Sequence, residues 1–272
     1  MVDAWLPYGK TEVCAHIPTR NFLGLIEPKK NEAVQDIKGE IKRALTEPIG
    51  SKTLDEIVKP EHKVSIVIGN HLPADLTNVM VLSVVDYLNS VGVKDENITV
   101  IYGCETLKTG KEDFLGKVKT VVHNPRKSKL VNVGKTHGIN VYLNRVFTEA
   151  DVKILLGRIN FHCYAGYTGD GKIVLPGVCG EETIKRSHAL LLNSRVKKGV
   201  LNGNPIHEVM VETARLANVD FILNVVANSE GRVIKAFAGS LEEAFNYGVK
   251  FVDEVYRLKV DRKADIVVVS AG

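Results

Sequence analysis

Hydrophobic positions along this chain switch repeatedly between two periods. β-Branched runs at 62–68 and 97–102 flank a stretch at 77–91 in which Val81, Val84, Val85 and Leu88 recur at helical spacing. Gly92 stands where such a helix stops. Strand, helix and strand in that order predict a right-handed crossover and a parallel sheet. The alternation continues with strands predicted at 119–123 and 152–156 and a helix at 181–192. Asn204-Pro205 predicts a clean helix start, because Asn caps well and Pro tolerates the first helical position. The apolar face that follows is Ile206, Val209, Met210, Thr213, Ala214 and Ala217. Residues 221–227 and 232–237 predict a hairpin around Ser229-Glu-Gly231, and Ser240-Leu-Glu-Glu243 fits a capping box for a helix to about Arg257. The apolar run at 264–272 predicts a final strand.

The expected fold is α/β: a mainly parallel, Rossmann-like sheet flanked by helices, with a small β-hairpin element. Three regions are expected. Residues 1–62 supply strands and a helix that pack on the lobe, 63–263 form an α/β cofactor-binding lobe, and 264–272 begin a linker to a C-terminal lobe. In this reading the chain is the front part of a longer protein.

Composition narrows the class. The 272 residues are 44% hydrophobic and 25% charged, as in ordinary soluble domains. The net charge of +4 is spread without a basic block and aromatics are only 6%, so no nucleic-acid partner is expected. No apolar run approaches a membrane span, so no membrane partner is expected either. Cys14, Cys104, Cys163 and Cys179 show no zinc-type spacing, and reduced thiols in a cytoplasmic protein are the expectation.

Chemistry concentrates in the segment His-Cys-Tyr-Ala-Gly-Tyr-Thr-Gly-Asp-Gly-Lys over 162–172. His162 follows a predicted strand, at the edge where open α/β sheets place ligands; a loop histidine satisfied by nearby backbone is the plainer alternative. Gly166, Gly169 and Gly171 permit positive φ or close backbone approach, and Lys172 ends the loop. The loop is not a phosphate-binding Walker sequence, since Ile173 replaces the Ser or Thr. Taken alone, Lys172 reads as a surface lysine. His188, four residues after Ile184, reads as a core histidine or a metal ligand. His207 reads as structural, and Cys163 as packing. His71, Glu105 and Lys108 follow predicted strands and read as site residues or solvated turn residues.

Together these segments resemble the nickel-pincer lactate racemase family, from about residue 63 onward. The family pattern His-Tyr-Phe-Ala-Gly-Phe-Ser-Gly-Gly-Arg-Lys, then an apolar pair and Pro-Gly, is matched nearly throughout by 162–177. Further blocks resemble the family at 182–191, 203–208, 220–226 and 237–244. The resemblance implies a pyridinium-derived mononucleotide whose sulfur groups hold nickel, the nickel-pincer nucleotide, attached covalently to Lys172. It implies His188 as the nickel ligand and His162 as the acid or base on a substrate hydroxyl. Tyr164, Gly166, Thr168, Gly169, Gly171 and Pro176 would shape the cofactor site. It also implies cofactor-assembly proteins as partners, a cofactor absent from protein made without them, and a small hydroxy acid as substrate.

The chain departs from the pattern twice. Leu107 stands where the family has a second proton-carrying histidine, in Glu105-Thr-Leu-Lys108. Ala74 stands where it has a substrate-gripping arginine, with His71 in place of an aspartate; a one-residue shift gives Pro73 and Asn70 instead. Glu105, His71 or Lys108 is expected to take over part of the missing role. The function expected is a racemase or epimerase of a lactate-like or larger 2-hydroxy acid, by hydride abstraction and return. The alternatives are a non-catalytic nucleotide- or organic-acid-binding relative, or a net oxidoreductase using the same hydride relay.

Overall fold

Two antiparallel strands, β1 (Val2–Tyr8) and β2 (Thr11–Ile17), open the chain of this computed structural model. The structure describes residues 1–27, 29–69, 72–104, 114 and 116–270. His71, Glu105, Leu107 and Lys108 therefore lie outside the described residues. After the hairpin come α1 (Ile37–Thr46), α2 (Leu54–Ile57), β3 (Val64–Ile68), α3 (Ala74–Ser90), β4 (Ile98–Tyr102) and β5 (Lys119–Val122). A second hairpin, β6 (Leu130–Thr136) and β7 (Ile139–Asn144), leads through α4 (Arg145–Thr148) to β8 (Val152–Arg158). The two-residue strands β9 (Phe161–His162) and β10 (Gly166–Tyr167) follow. The chain continues with α5 (Glu181–His188), α6 (Pro205–Leu216), β11 (Phe221–Ala227), β12 (Val233–Gly239) and α7 (Glu243–Tyr256).

Six strands form the main sheet in the order β12-β11-β8-β3-β4-β5. All its pairings are parallel except β11 with β12. Side chains alternate across it. Ile66, Ile68, Val100, Ile154, Leu156, Leu223 and Val225 face a core closed by α1 and α3. Val67, Ile101, Leu155, Ile222 and Val226 face a second core closed by α6, α7 and the β6–β7 hairpin. Burial on both faces is what the near-continuous apolar strands require.

The helices obey their sequence signals. Val81, Val84, Val85 and Leu88 of α3 are all buried, and Gly92 takes φ +94° just beyond its end. Asn204 Oδ1 accepts the Ile206 N–H at 3.2 Å, with Pro205 next in line. Ser240 Oγ accepts the Glu243 N–H at 3.2 Å, although α7 itself begins only at Glu243. The stretch at 181–192 divides into α5 and a 3-10 turn.

One expectation fails. Residues 264–270 form no strand, and Ile266, Val267, Val268 and Val269 are exposed. An apolar pattern makes a strand only with a ladder partner, and among the described residues this segment joins no ladder; Ser270 Oγ donates to the Pro7 carbonyl.

β3 is the origin of the sheet's winding. The chain proceeds from β3 outward to β4 and β5, then returns past β3 to lay down β8, β11 and β12. The order thus reverses between β3 and β8, and open α/β sheets hold their ligands at the carboxyl end of such a crevice.

Candidate functional site

The segment leaving β8 runs back over that crevice. Gly69 follows β3, and a Cβ there would lie 3.0 Å from Ile173 Cγ1; a Cβ at Gly157 in β8 would lie 2.7 Å from Ile173 Cδ1. Ile173 therefore rests on the ends of both switch-point strands. Just past β4, the Cys104 N–H donates to the Gly177 carbonyl at 2.8 Å. From β11, the buried Asn224 amide donates to the Gly169 carbonyl at 2.6 Å. The turn over 169–177 is thus pinned to the four neighbouring strands β11, β8, β3 and β4, and Lys172 rides on it.

Lys172 is only 4% exposed. The surface reading of this lysine is wrong, because the turn lies on the sheet edge rather than in solvent. Asp170 Oδ1 accepts the Lys172 N–H at 3.2 Å and so caps the short 3-10 turn Gly171–Ile173. Its Oδ2 lies 3.3 Å from His207 Nδ1 in the first turn of α6, an ion-pair contact without hydrogen-bond alignment. Burial pushes the Asp170 carboxyl above its ordinary pKa, while His207, the Lys172 N–H and the Lys172 charge pull the other way. A cavity of about 390 Å³ opens beside this pair, lined by Phe245, Arg215 and Glu212 among others.

The two histidines meet through Tyr164. Its ring stands edge-on to His162, centroids 4.3 Å apart, and contacts His188 at 5.5 Å. Asn204 Nδ2 donates to the Tyr164 carbonyl at 2.8 Å, tying this hairpin to the start of α6. His188 Nδ1 lies 2.8 Å from the Ile184 carbonyl. A carbonyl only accepts, so the neutral ring carries its proton on Nδ1 and presents a lone pair at Nε2. The Tyr164 hydroxyl is 3.4 Å from that Nε2. His162 has the opposite tautomer: Nδ1 accepts the Ala165 N–H at 3.2 Å, which leaves the proton on Nε2.

The other candidates serve the loop itself. Gly166, at φ +82°, would put a Cβ 2.3 Å from the Val200 carbonyl oxygen, and Gly171 would put one 2.2 Å from that of Met210. Gly169 packs on Ile159 and Asn224. Thr168 Oγ1 donates to the Arg158 carbonyl and accepts the Asn160 N–H. The Pro176 carbonyl accepts from Cys104 Sγ. Cys163 is exposed rather than packed. Ala74 is the first residue of α3.

Sequence reasoning missed Asp170, Asn224 and His123. Asn224 carried a signal, as the lone polar residue in the apolar run Phe-Ile-Leu-Asn-Val-Val-Ala. His123, just past β5, is buried; its Nε2 donates to the Cys179 carbonyl at 2.8 Å and its Nδ1 accepts from Asn144 at 2.9 Å. Nothing in its own neighbourhood in sequence foretold that role.

Fold and candidate site together define an α/β lobe with a glycine-rich, lysine-bearing turn laid over the switch point of a mainly parallel sheet. Residues 8–199 match the family model described as the lactate racemase N-terminal domain. The chain belongs to that family. It is 32% identical over its whole length to 67% of the lactate racemase of Thermoanaerobacterium thermosaccharolyticum. It is 29% identical, over 94% of its length, to 63% of the lactate racemase of Lactiplantibacillus plantarum. The solved lactate racemase apoprotein from T. thermosaccharolyticum superposes with a TM-score of 0.81 at 28% identity, covering 93% of this chain and 63% of that one. A crystal structure of a protein from Thermotoga maritima shares the fold, with a TM-score of 0.64 at 21% identity. The chain thus spans roughly two thirds of the relatives it matches. Among the described residues, no helix is long and apolar enough to cross a membrane.

Proposed function

We propose that this chain is the cofactor-holding lobe of a racemase or epimerase of a 2-hydroxy acid, lactate or a larger relative. The reading rests above all on Tyr164 joining the His162 and His188 rings, and on Lys172 being buried in the turn that covers the β3–β8 crevice. The lactate racemase relatives support the reaction class.

The residues fit a nickel-pincer nucleotide. His188 offers one lone pair on a ring whose other nitrogen is fixed by backbone, the usual dress of a metal-ligating histidine. Among the described residues His188 belongs to no cluster of three or more His, Cys, Asp or Glu donors, which suits an ion whose remaining donors come from its cofactor. Lys172 is held by a turn pinned to the sheet, and we assign its amine as the covalent tether. When bound, such a cofactor supplies a reversible hydride acceptor for the carbon bearing the hydroxyl.

The protein's share is proton control and orientation. His162 presents Nε2–H and is set to return a proton to the substrate oxygen. To take one it must release the Ala165 N–H and shift its own proton to Nδ1. With Leu107 in place of the second histidine, His162 is the proton carrier we assign. We assign substrate binding to the region of His71, Glu105 and Lys108, since Ala74 cannot clamp a carboxylate as arginine does.

The decisive experiment produces the protein with nickel and the cofactor-assembly proteins, then combines peptide mass analysis with chiral chromatography of D- and L-hydroxy acids. An adduct on Lys172, stoichiometric nickel lost in His188→Ala, and interconversion of one enantiomer pair are expected. An unmodified Lys172 with no nickel would reject the reading in favour of a binding protein. Accumulation of keto acid without the opposite enantiomer would reject it in favour of an oxidoreductase.

A further inference from the structure

The N-terminal hairpin carries chemistry that the crevice does not use. Cys14 and His16 are two residues apart on β2, so their side chains share one face. Asp3 on β1 is the direct cross-strand partner of His16, and Trp5 that of Cys14. Register is set by a two-residue turn between the paired Tyr8 and Thr11, in which Gly9 takes φ +61°. The antiparallel ladder therefore delivers a thiol, an imidazole and a carboxylate to the same spot. Cys14 Sγ, His16 Nδ1 and Asp3 Oδ1 lie within 4.8 Å of one another, the one such group among the described residues.

We infer that Asp3, Cys14 and His16 form a site for a borderline-soft divalent transition metal, of the Zn(II), Co(II) or Ni(II) class. The donor set decides the class: one sulfur and one imidazole exclude Mg(II) and Ca(II), which want oxygen. The dimensions agree. His16 Nδ1 stands 3.8 Å from Cys14 Sγ and 2.7 Å from Asp3 Oδ1. In a tetrahedral shell with metal–sulfur bonds of about 2.3 Å and metal–nitrogen bonds of about 2.0 Å, neighbouring donors stand roughly 3.3–3.6 Å apart. Small rotations of exposed side chains close the difference. Asp3 and His16 are exposed and Cys14 half-buried, so the fourth coordination position faces solvent. Binding removes the Cys14 thiol proton to solvent as the sulfur–metal bond forms, and the His16 proton moves to Nε2. The geometry shares no residue with the His188 site.

Trp5 gives the test a built-in reporter. It is the sole tryptophan of the chain and lies on the same hairpin face, beside Asp3 and opposite Cys14. The experiment titrates Co(II) into tag-free protein made without nickel, following Trp5 fluorescence and the thiolate-to-cobalt charge-transfer absorption. One equivalent should quench Trp5 and raise the absorption band. Both signals should persist in His188→Ala and vanish in Cys14→Ser, while His16→Ala and Asp3→Asn weaken affinity at least tenfold. Circular dichroism confirms that these surface variants fold. No sulfur band in the wild type, a band that survives Cys14→Ser, or signals lost in His188→Ala would each overturn the assignment. Because no cofactor is needed, the outcome is independent of whether the racemase reading holds.

Discussion

Gly171→Ala isolates the packing that places Lys172. Gly171 is not among the glycines at positive φ, so alanine brings no backbone strain, only one methyl group. That methyl would stand 2.2 Å from the Met210 carbonyl oxygen, 2.4 Å from its carbon and 2.7 Å from the Val211 nitrogen, where ordinary contact begins at 3.4 Å. All three atoms are α6 backbone, so no flexible side-chain end can swing aside, and the turn must lift by about 1 Å in a close-packed interior. Overpacking of this kind costs about 1–3 kcal/mol. For a chain of this size that lowers Tm by roughly 2–12 °C. Lys172 moves with the turn; under the proposed function, a displacement of about 1 Å at such a tether would also cost about a hundredfold in rate. Calorimetry reads the first effect; pulse acetylation of Lys172, followed by peptide mass analysis, reads the second as faster labelling of a loosened amine. Gly231→Ala is the control: at φ +79° in the β11–β12 turn with nothing within 4 Å, it loses stability through backbone strain alone and leaves Lys172 labelling unchanged. A Gly171→Ala protein with wild-type Tm and labelling would refute the claim that α6 backbone sets the turn.

Three further outcomes are expected. Asn224→Leu removes the 2.6 Å donor from the Gly169 carbonyl and should cost about 1–3 kcal/mol in chemical denaturation, with no shift of midpoint counting against it. Tyr164→Phe keeps both ring contacts and should leave His188 protonated on Nδ1 in imidazole nitrogen NMR; a switch to Nε2–H would contradict the bond to Ile184. Burial holds the His123 pKa below its ordinary 6.5. Above that pH both folded and unfolded chains carry the ring neutral. As pH falls below it, the unfolded chain takes up a proton that the folded chain refuses, so stability declines toward acid until the folded pKa is passed. His123→Gln should flatten that decline in a pH series of unfolding free energies, and an unaltered slope would assign it to other groups.

How much of this was legible depended on whether the signal was local. α3 and α6 could be read because their apolar faces recur every three or four residues and their ends carry Gly92 and Asn204-Pro205. The segment at 264–270 misled because strand pattern and strand pairing are separate matters; its four consecutive apolar residues join no ladder among the described residues. The Asp170–His207 contact joins a loop to a helix 37 positions away, and no periodicity reports such a pair. Lys172 is the instructive case. The local sequence, three glycines and a lysine, spelled an exposed loop, yet the distant signal was present. Gly69 and Gly103 directly follow β3 and β4, and Gly157 is the penultimate residue of β8. Three neighbouring parallel strands whose carboxyl ends lack side chains make a flat shelf, and a shelf in the interior has to be covered. The turn at 171–177 covers it, with Ile173 on Gly69 and Gly157 and Gly177 on Gly103. A cationic residue carried there is buried by the shelf's own geometry.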